Sequence, residues 1–208
     1  FDSGGGQFAR DVYVCQLTPA GNDLVFCTYL GAESLDISCA IALTTSRNIV
    51  IGGFTTSLGF PVTLGAFDTD PELGIGDGFI TCLNAGGSEL VFSSFLGGTG
   101  FSQPEEVVDV IVEPSGSILA MGRASSADFP TTPGAFATSL TGPEDVFISR
   151  LDATGSTLLA STLLGGTNND TGRGICLTAS GDVVVIVSSS SLDFPTTPGA
   201  FISPWPGF

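Results

Sequence analysis

The stretch DFPTTPGAF, Asp128 to Phe136, returns letter for letter at 193–201, and GFPVTLGAF at 59–67 keeps six of its nine letters. A phrase that recurs along a chain marks a repeat architecture, and it has to be read before any single residue. Its closing residues Phe67, Phe136 and Phe201 stand 69 and 65 apart, and Phe1 lies 66 before Phe67. The text between the phrases recurs as well. DVYVCQLTPAGNDLVFCTYLGA (11–32) aligns without a gap to DGFITCLNAGGSELVFSSFLGG (77–98) and to DVFISRLDATGSTLLASTLLGG (145–166). The second halves follow: ALTTSRNIVIGG (42–53), VEPSGSILAMG (112–122) and LTASGDVVVIV (177–187).

Each unit reads as four short strands. Val, Ile, Phe and Thr dominate the runs, and helical periodicity is absent. The first hairpin turns on Gly21, Gly87 or Gly155, where a positive φ is cheap. The second turns about Ser46-Arg47-Asn48, Ser115-Gly116-Ser117 or Ser180-Gly181-Asp182. Residues 1–66, 67–135 and 136–200 are therefore three repeats, and 201–208 (FISPWPGF) opens a fourth. In the phrase itself, Pro130 and Pro195 fix their own φ and hold Phe129 and Phe194 extended. Asp128 and Asp193 are placed to accept backbone N–H groups. The phrase thus reads as a stiff connector from one four-stranded unit to the next. Pro130-Thr-Thr-Pro133 also fits the PxxP pattern, but a connector that occurs once per unit needs no external reader.

These features resemble the bacterial beta-propeller repeat family often called SBBP. The resemblance rests on the aromatic-x-x-x-Leu first strand, the TYLGG-like end of the second, the Ser-Gly turn and the S-S-x-DFPTTPGAF phrase. Arg47-Asn48 departs from the family's Gly-Asn turn, and Val187 stands where a glycine closes the fourth strand. The resemblance implies an all-β fold of three four-stranded, propeller-like blades in a secreted or cell-surface protein. It carries no catalytic residues to transfer.

Composition narrows function by exclusion. The chain has 21 acids, five arginines, no lysine and no histidine, for a net charge of −16. That balance opposes nucleic acid, whose affinity comes from cations neutralising phosphates, and anionic membrane surfaces. Mean hydropathy is high at +0.43, yet no apolar run reaches the roughly 18 residues of a membrane span. Without histidine there is no Ser-His or Cys-His pair, and without lysine no P-loop or Schiff base. The chain starts in repeat phase without Met, which predicts a processed or excised N-terminus. Cys15, Cys27, Cys39, Cys82 and Cys176 do not recur in register. They predict either free buried thiols or one disulfide, with Cys15 and Cys27 facing each other and Cys39 in reach.

The remaining candidates are acidic. Glu105, Glu106, Asp109 and Glu113 are the raw material for a carboxylate pair, though nothing else supports an enzyme. Asp68, Asp70, Glu72 and Asp77 offer oxygens for calcium in a Gly-rich loop, and Asn168-Asn169-Asp170 is a second cluster; solvated turns explain both as well. Asn169 also heads a glycosylation sequon. Ser125-Ser126 and Ser188–Ser191 are polar stretches open to O-glycans.

Propellers close with roughly four to eight blades, so three predict either an excerpt of a larger ring or completion by neighbours. The chain thus reads as a non-enzymatic, extracellular, structural or adhesive protein, joined head to tail into a filament. Phe201, Trp205 and Phe208 would be the anchoring tail. The alternative is a propeller module that binds glycan or calcium.

Overall fold

In a computed structural model, residues 10–71, 75–100 and 103–201 are described. They form twelve strands and, among the described residues, no helix. The strands are β1 (Val12–Leu17), β2 (Leu24–Leu30), β3 (Asp36–Leu43), β4 (Ile49–Thr55), β5 (Asp77–Leu83) and β6 (Leu90–Leu96). There follow β7 (Glu106–Val112), β8 (Ile118–Ala124), β9 (Asp145–Leu151), β10 (Leu158–Leu164), β11 (Asp170–Leu177) and β12 (Val183–Ser189). The all-β expectation holds.

The turns are built as the glycines require. Gly21, Gly87 and Gly155 have φ of 67°, 65° and 67°. In the other hairpins Gly116 and Gly181 share a φ of 89°, and Arg47 takes the same left-handed region at 65°.

The sheets, however, are cut differently from the repeats. Two are four-stranded and antiparallel, ordered β3-β4-β5-β6 and β7-β8-β9-β10, and two are two-stranded, β1-β2 and β11-β12. Each complete sheet takes the last two strands of one repeat and the first two of the next. The proline phrase therefore joins the second and third strands inside a sheet, which corrects its reading as a link between units. From β4 or β8 it crosses to the outer strand and lies along it. Thr63 N–H donates to Ser93 O at 3.0 Å, and Thr132 N–H to Ser161 O at 3.0 Å. The threonine hydroxyls accept the return bonds from Ser93 N–H (3.0 Å) and Ser161 N–H (2.9 Å). A phrase so placed covers the open edge of β6 or β10, where unpaired backbone invites aggregation. Its phenylalanine enters the core. Phe60 meets Phe79 at a centroid distance of 4.5 Å, and Phe129 stacks on Phe147 at 4.7 Å.

Adjacent sheets pack face to face, most closely at their first strands: β7 lies on β3 and β4, and β11 on β7 and β8. Three apolar layers result. Val12, Val14 and Leu30 pack on Ile49, Ile51 and Phe79. Val50 and Ile80 pack on Val107, Val110 and Phe147. Leu119 and Met121 pack on Ile175.

Val187, anomalous in the sequence, is compensated across the ladder. Its counterparts Gly53 and Gly122 sit where a Cβ would run into Ile37 O or Glu106 O at 1.9 and 1.8 Å. Their strand partners are Ser38 and Val107, whereas Val187 faces Gly172. The small residue has moved to the other strand.

Candidate functional site

The chemistry of the described surface is concentrated in the two half-sheets. Val183, Val184 and Ile186 of β12 are exposed, and Ile186 reaches 68 %. Their counterparts in β4 and β8, such as Val50, Leu119 and Met121, are fully buried. Likewise Tyr13, Cys15 and Leu17 of β1 are exposed, whereas nearly every β5 and β9 side chain is buried. Among the described residues β1 pairs only with β2, and β12 only with β11.

On the β1 side, a groove of about 690 Å³ runs between β1 and β3, lined by Val14, Cys15, Ile41, Leu43, Arg47 and Ile49. Ile41, at its centre, is 67 % exposed, while its counterparts Val110 and Ile175 are buried. On the β12 side, a hollow of about 620 Å³ lies against the second copy of the phrase, lined by Thr132, Phe136, Ala160 and Val183 among others. In the complete arrangement Phe67 N–H donates to Gly155 O at 2.8 Å. Phe136 has the equivalent place and is 72 % exposed; Phe201 is wholly exposed.

A threefold polar latch holds each sheet to the next. Asp36, Glu105 and Asp170 occupy equivalent, buried positions at the start of β3, just before β7, and at the start of β11. Their N–H groups donate to Arg10 O (2.7 Å), Gly76 O (3.2 Å) and Glu144 O (2.9 Å). Their carboxylates cap the polar stretch after the following strand. Asp36 accepts from the Thr55 and Ser57 hydroxyls, Glu105 from Ser126 and Ser125 N–H, and Asp170 from Ser191. Burial is the main cause that pushes the Asp36, Glu105 and Asp145 carboxyls above the usual range. Asp11 adds to this at Asp36, and Asp170 at Asp145.

Outside the latch, Asp128 and Asp193 do accept backbone N–H groups, from Thr99 and Thr167 at 3.0 and 2.9 Å, with the threonine hydroxyls joining. These bonds hold both carboxyls below the usual range.

Several of the acids singled out in the sequence make contacts within the fold. Glu106 pairs with Arg123 at 3.6 Å and Glu113 with Arg150 at 2.9 Å. Asp109 accepts Ile175 N–H across the sheet interface at 2.9 Å. Of the calcium candidates, Asp68 accepts Asp70 N–H within its own loop, and Asp77 is buried at the head of β5 against Gly97. Glu72 lies outside the described residues. No three acidic or sulfur side chains come together as a metal site among the described residues. Asn169 is exposed, but Asp170 beside it is buried in the latch. Trp205 and Phe208 also lie outside the described residues.

Cys15 and Cys27 face each other across β1 and β2, as one register allows, and both are free thiols. Buried thiols were the other expectation; of the five only Cys82 is buried, while Cys15, Cys27 and Cys176 sit in the half-sheets and Cys39 on the first strand of a complete sheet. What the sequence reading missed is Tyr13, Ile41, Phe136 and Ile186. The signal was available: each is an apolar side chain with at least one counterpart in or packed against a core. No protein-family model matches the chain, and no curated protein is similar to it.

Proposed function

We propose that this protein is a non-enzymatic structural or adhesive module of the extracellular space, built of propeller-like blades, whose copies join head to tail. One observation carries the reading. The two half-sheets are complementary in pattern: β11-β12 corresponds to β3-β4 and β7-β8, the first two strands of the complete sheets, and β1-β2 to β5-β6 and β9-β10, the last two. Each half exposes the apolar edge that the other half covers in the complete sheets, and exposed apolar edges mark association sites. Joining different surfaces of two copies is a heterologous contact. Sedimentation velocity across a hundredfold concentration range tests it. Association that disappears in Ile186→Asp supports the reading; a chain that stays monomeric throughout rejects it.

The competing role is capture of calcium, by Asp68, Asp70, Glu72 and Asp77, or of a glycan. Ligand binding to the folded state raises the melting temperature, so a transition unmoved by calcium or by chelator removes the calcium version.

A further inference from the structure

We infer that Cys15 and Cys27 form a reversible covalent clasp across β1 and β2, closed as a disulfide by exchange with low-molecular-weight disulfides and opened by low-molecular-weight thiols. The inference concerns one hairpin and does not depend on whether copies of the chain associate. The structure shows the open, dithiol form.

The two cysteines stand at a position where the other repeats place a touching pair. In the gapless alignment Cys15 falls on Thr81 and Ser149, and Cys27 on Ser93 and Ser161. Each pair is directly opposed in its ladder: Thr81 faces Ser93, Ser149 faces Ser161, and Cys15 faces Cys27. In both complete sheets the opposed hydroxyls are hydrogen-bonded, Thr81 Oγ1 with Ser93 Oγ at 2.7 Å and Ser149 Oγ with Ser161 Oγ at 2.8 Å. The hairpin backbone thus aims the two γ atoms at each other. The first repeat keeps the ladder and puts sulfur in place of both oxygens. Opposed residues of an antiparallel pair have Cα atoms about 4.5 or 5.5 Å apart, and both values lie within the roughly 4.4–6.8 Å that a disulfide spans. The register runs unbroken from Val12 to Gln16 and shifts only after it, so no bulge displaces the pair.

The other three cysteines are held out of this chemistry, in which a thiol reacts as its thiolate. Cys39 donates its proton to Glu106 Oε1 at 3.0 Å, and desolvation together with that bond pushes it up to about 12. Cys82 is buried, and desolvation pushes it up to about 11. Cys176 faces Val184 across its ladder, with no thiol opposite. Beside the pair, Tyr13 and Tyr29 have ring centroids 5.3 Å apart. Hydrogen bonding to the Cys27 sulfur is the main cause that pushes the Tyr13 phenol up to about 12. That hydroxyl is placed to donate to the sulfur when it carries negative charge, as attacking or as leaving group.

The exchange balances with the small disulfide RSSR as the sole oxidant. One protein thiolate attacks RSSR, the S–S bond breaks, and the departing RS⁻ takes up the proton that the thiol lost. The second protein thiolate then attacks the mixed disulfide, which forms the 15–27 bond and releases the other RSH. The protein gives up two electrons and two protons, and RSSR takes up both. Excess RSH runs the same steps backwards, and exposed disulfides are the readily reduced ones.

The test treats the folded full chain with oxidised glutathione and then with excess reduced glutathione, counting thiols by alkylation and mass spectrometry. The result expected is loss of two of the five thiols, a 15–27 link in the peptide map, and return of both thiols on reduction. The double variant Cys15→Ser, Cys27→Ser, which restores a hydroxyl pair like those of the other hairpins, should keep its remaining thiols under both treatments. A parent chain that keeps all its thiols overturns the inference. So does a link through Cys39, Cys82 or Cys176, a link between chains, or loss of thiols in the double variant. Glutathione left on Cys15 or Cys27 without a 15–27 link overturns the clasp, and a link that excess reduced glutathione fails to open overturns its reversibility.

Discussion

At Arg47 the backbone holds a side chain at φ 65°, where the two equivalent turns use glycine. The left-handed region costs a non-glycine residue roughly 1–2 kcal/mol, and glycine returns some of that as chain entropy. Arg47→Gly should therefore stabilise the chain by about 0.5–1 kcal/mol in urea unfolding. Gly122 works in the opposite sense. Its missing Cβ makes room for Glu106 O, so Gly122→Val should cost roughly 2–3 kcal/mol. Val187 does not license the change, because its partner is Gly172 while that of Gly122 is Val107. A Gly122→Val chain as stable as the parent would refute this account of the close approach. The residue types of both sites are plain in the sequence, but the partner across the ladder is not.

At the scale of elements, the latch makes stability depend on pH. Asp36 and Glu105 of the latch, and Asp145 next to its third member Asp170, have carboxyls raised by burial, so the folded state holds their protons to higher pH than the unfolded chain does. The unfolded state then binds fewer protons, and stability falls as pH rises through the raised values. Going down from neutrality, stability is gained until the ordinary carboxyl values of 4.5 and 3.8 are reached. Below 3.8 the balance reverses, because Asp128 and Asp193 have lowered values and their bonds to Thr99 and Thr167 are lost on protonation. The melting temperature should rise as pH is lowered through the raised values and fall once pH passes below 3.8, and Glu105→Gln should flatten the rise. A melting temperature that falls steadily as pH is lowered from 7 to 3.8 would contradict the assignment. The acids at these positions are visible in the sequence as polar residues at strand starts. Their burial is not, because it depends on which sheet lies against which.

For the whole molecule, charge opposes association. Each copy carries −16, and like-charged partners repel over a screening length of about 10 Å at 0.1 M salt. The apolar edges of β1 and β12 supply attraction that salt does not weaken. Raising sodium chloride from 20 to 500 mM should therefore tighten self-association by roughly tenfold or more in sedimentation equilibrium. Weakening with salt would point to an interface held by ion pairs, for which the described surface gives no basis in its sparse arginines. The threefold repeat, the strand count and the apolar runs were legible at this scale. The open edges were not, because a strand's sequence is the same whether or not its neighbour is present.

The sequence by itself determined the local structure: twelve strands, the glycine turns, the stiff phrase and its phenylalanine plug. Each of these follows from side-chain volume, φ preference and period two, which act over a few residues. Only the tertiary structure decided which hairpins share a sheet. Repeats 1–66, 67–135 and 136–200 are a valid division of the text, but hydrogen bonds between β4 and β5, and between β8 and β9, cut the molecule half a repeat later. A repeating sequence has no privileged starting point, since every four consecutive strands carry the same pattern. Long-range pairing breaks that degeneracy, and among the described residues it leaves β1-β2 and β11-β12 as two-stranded sheets.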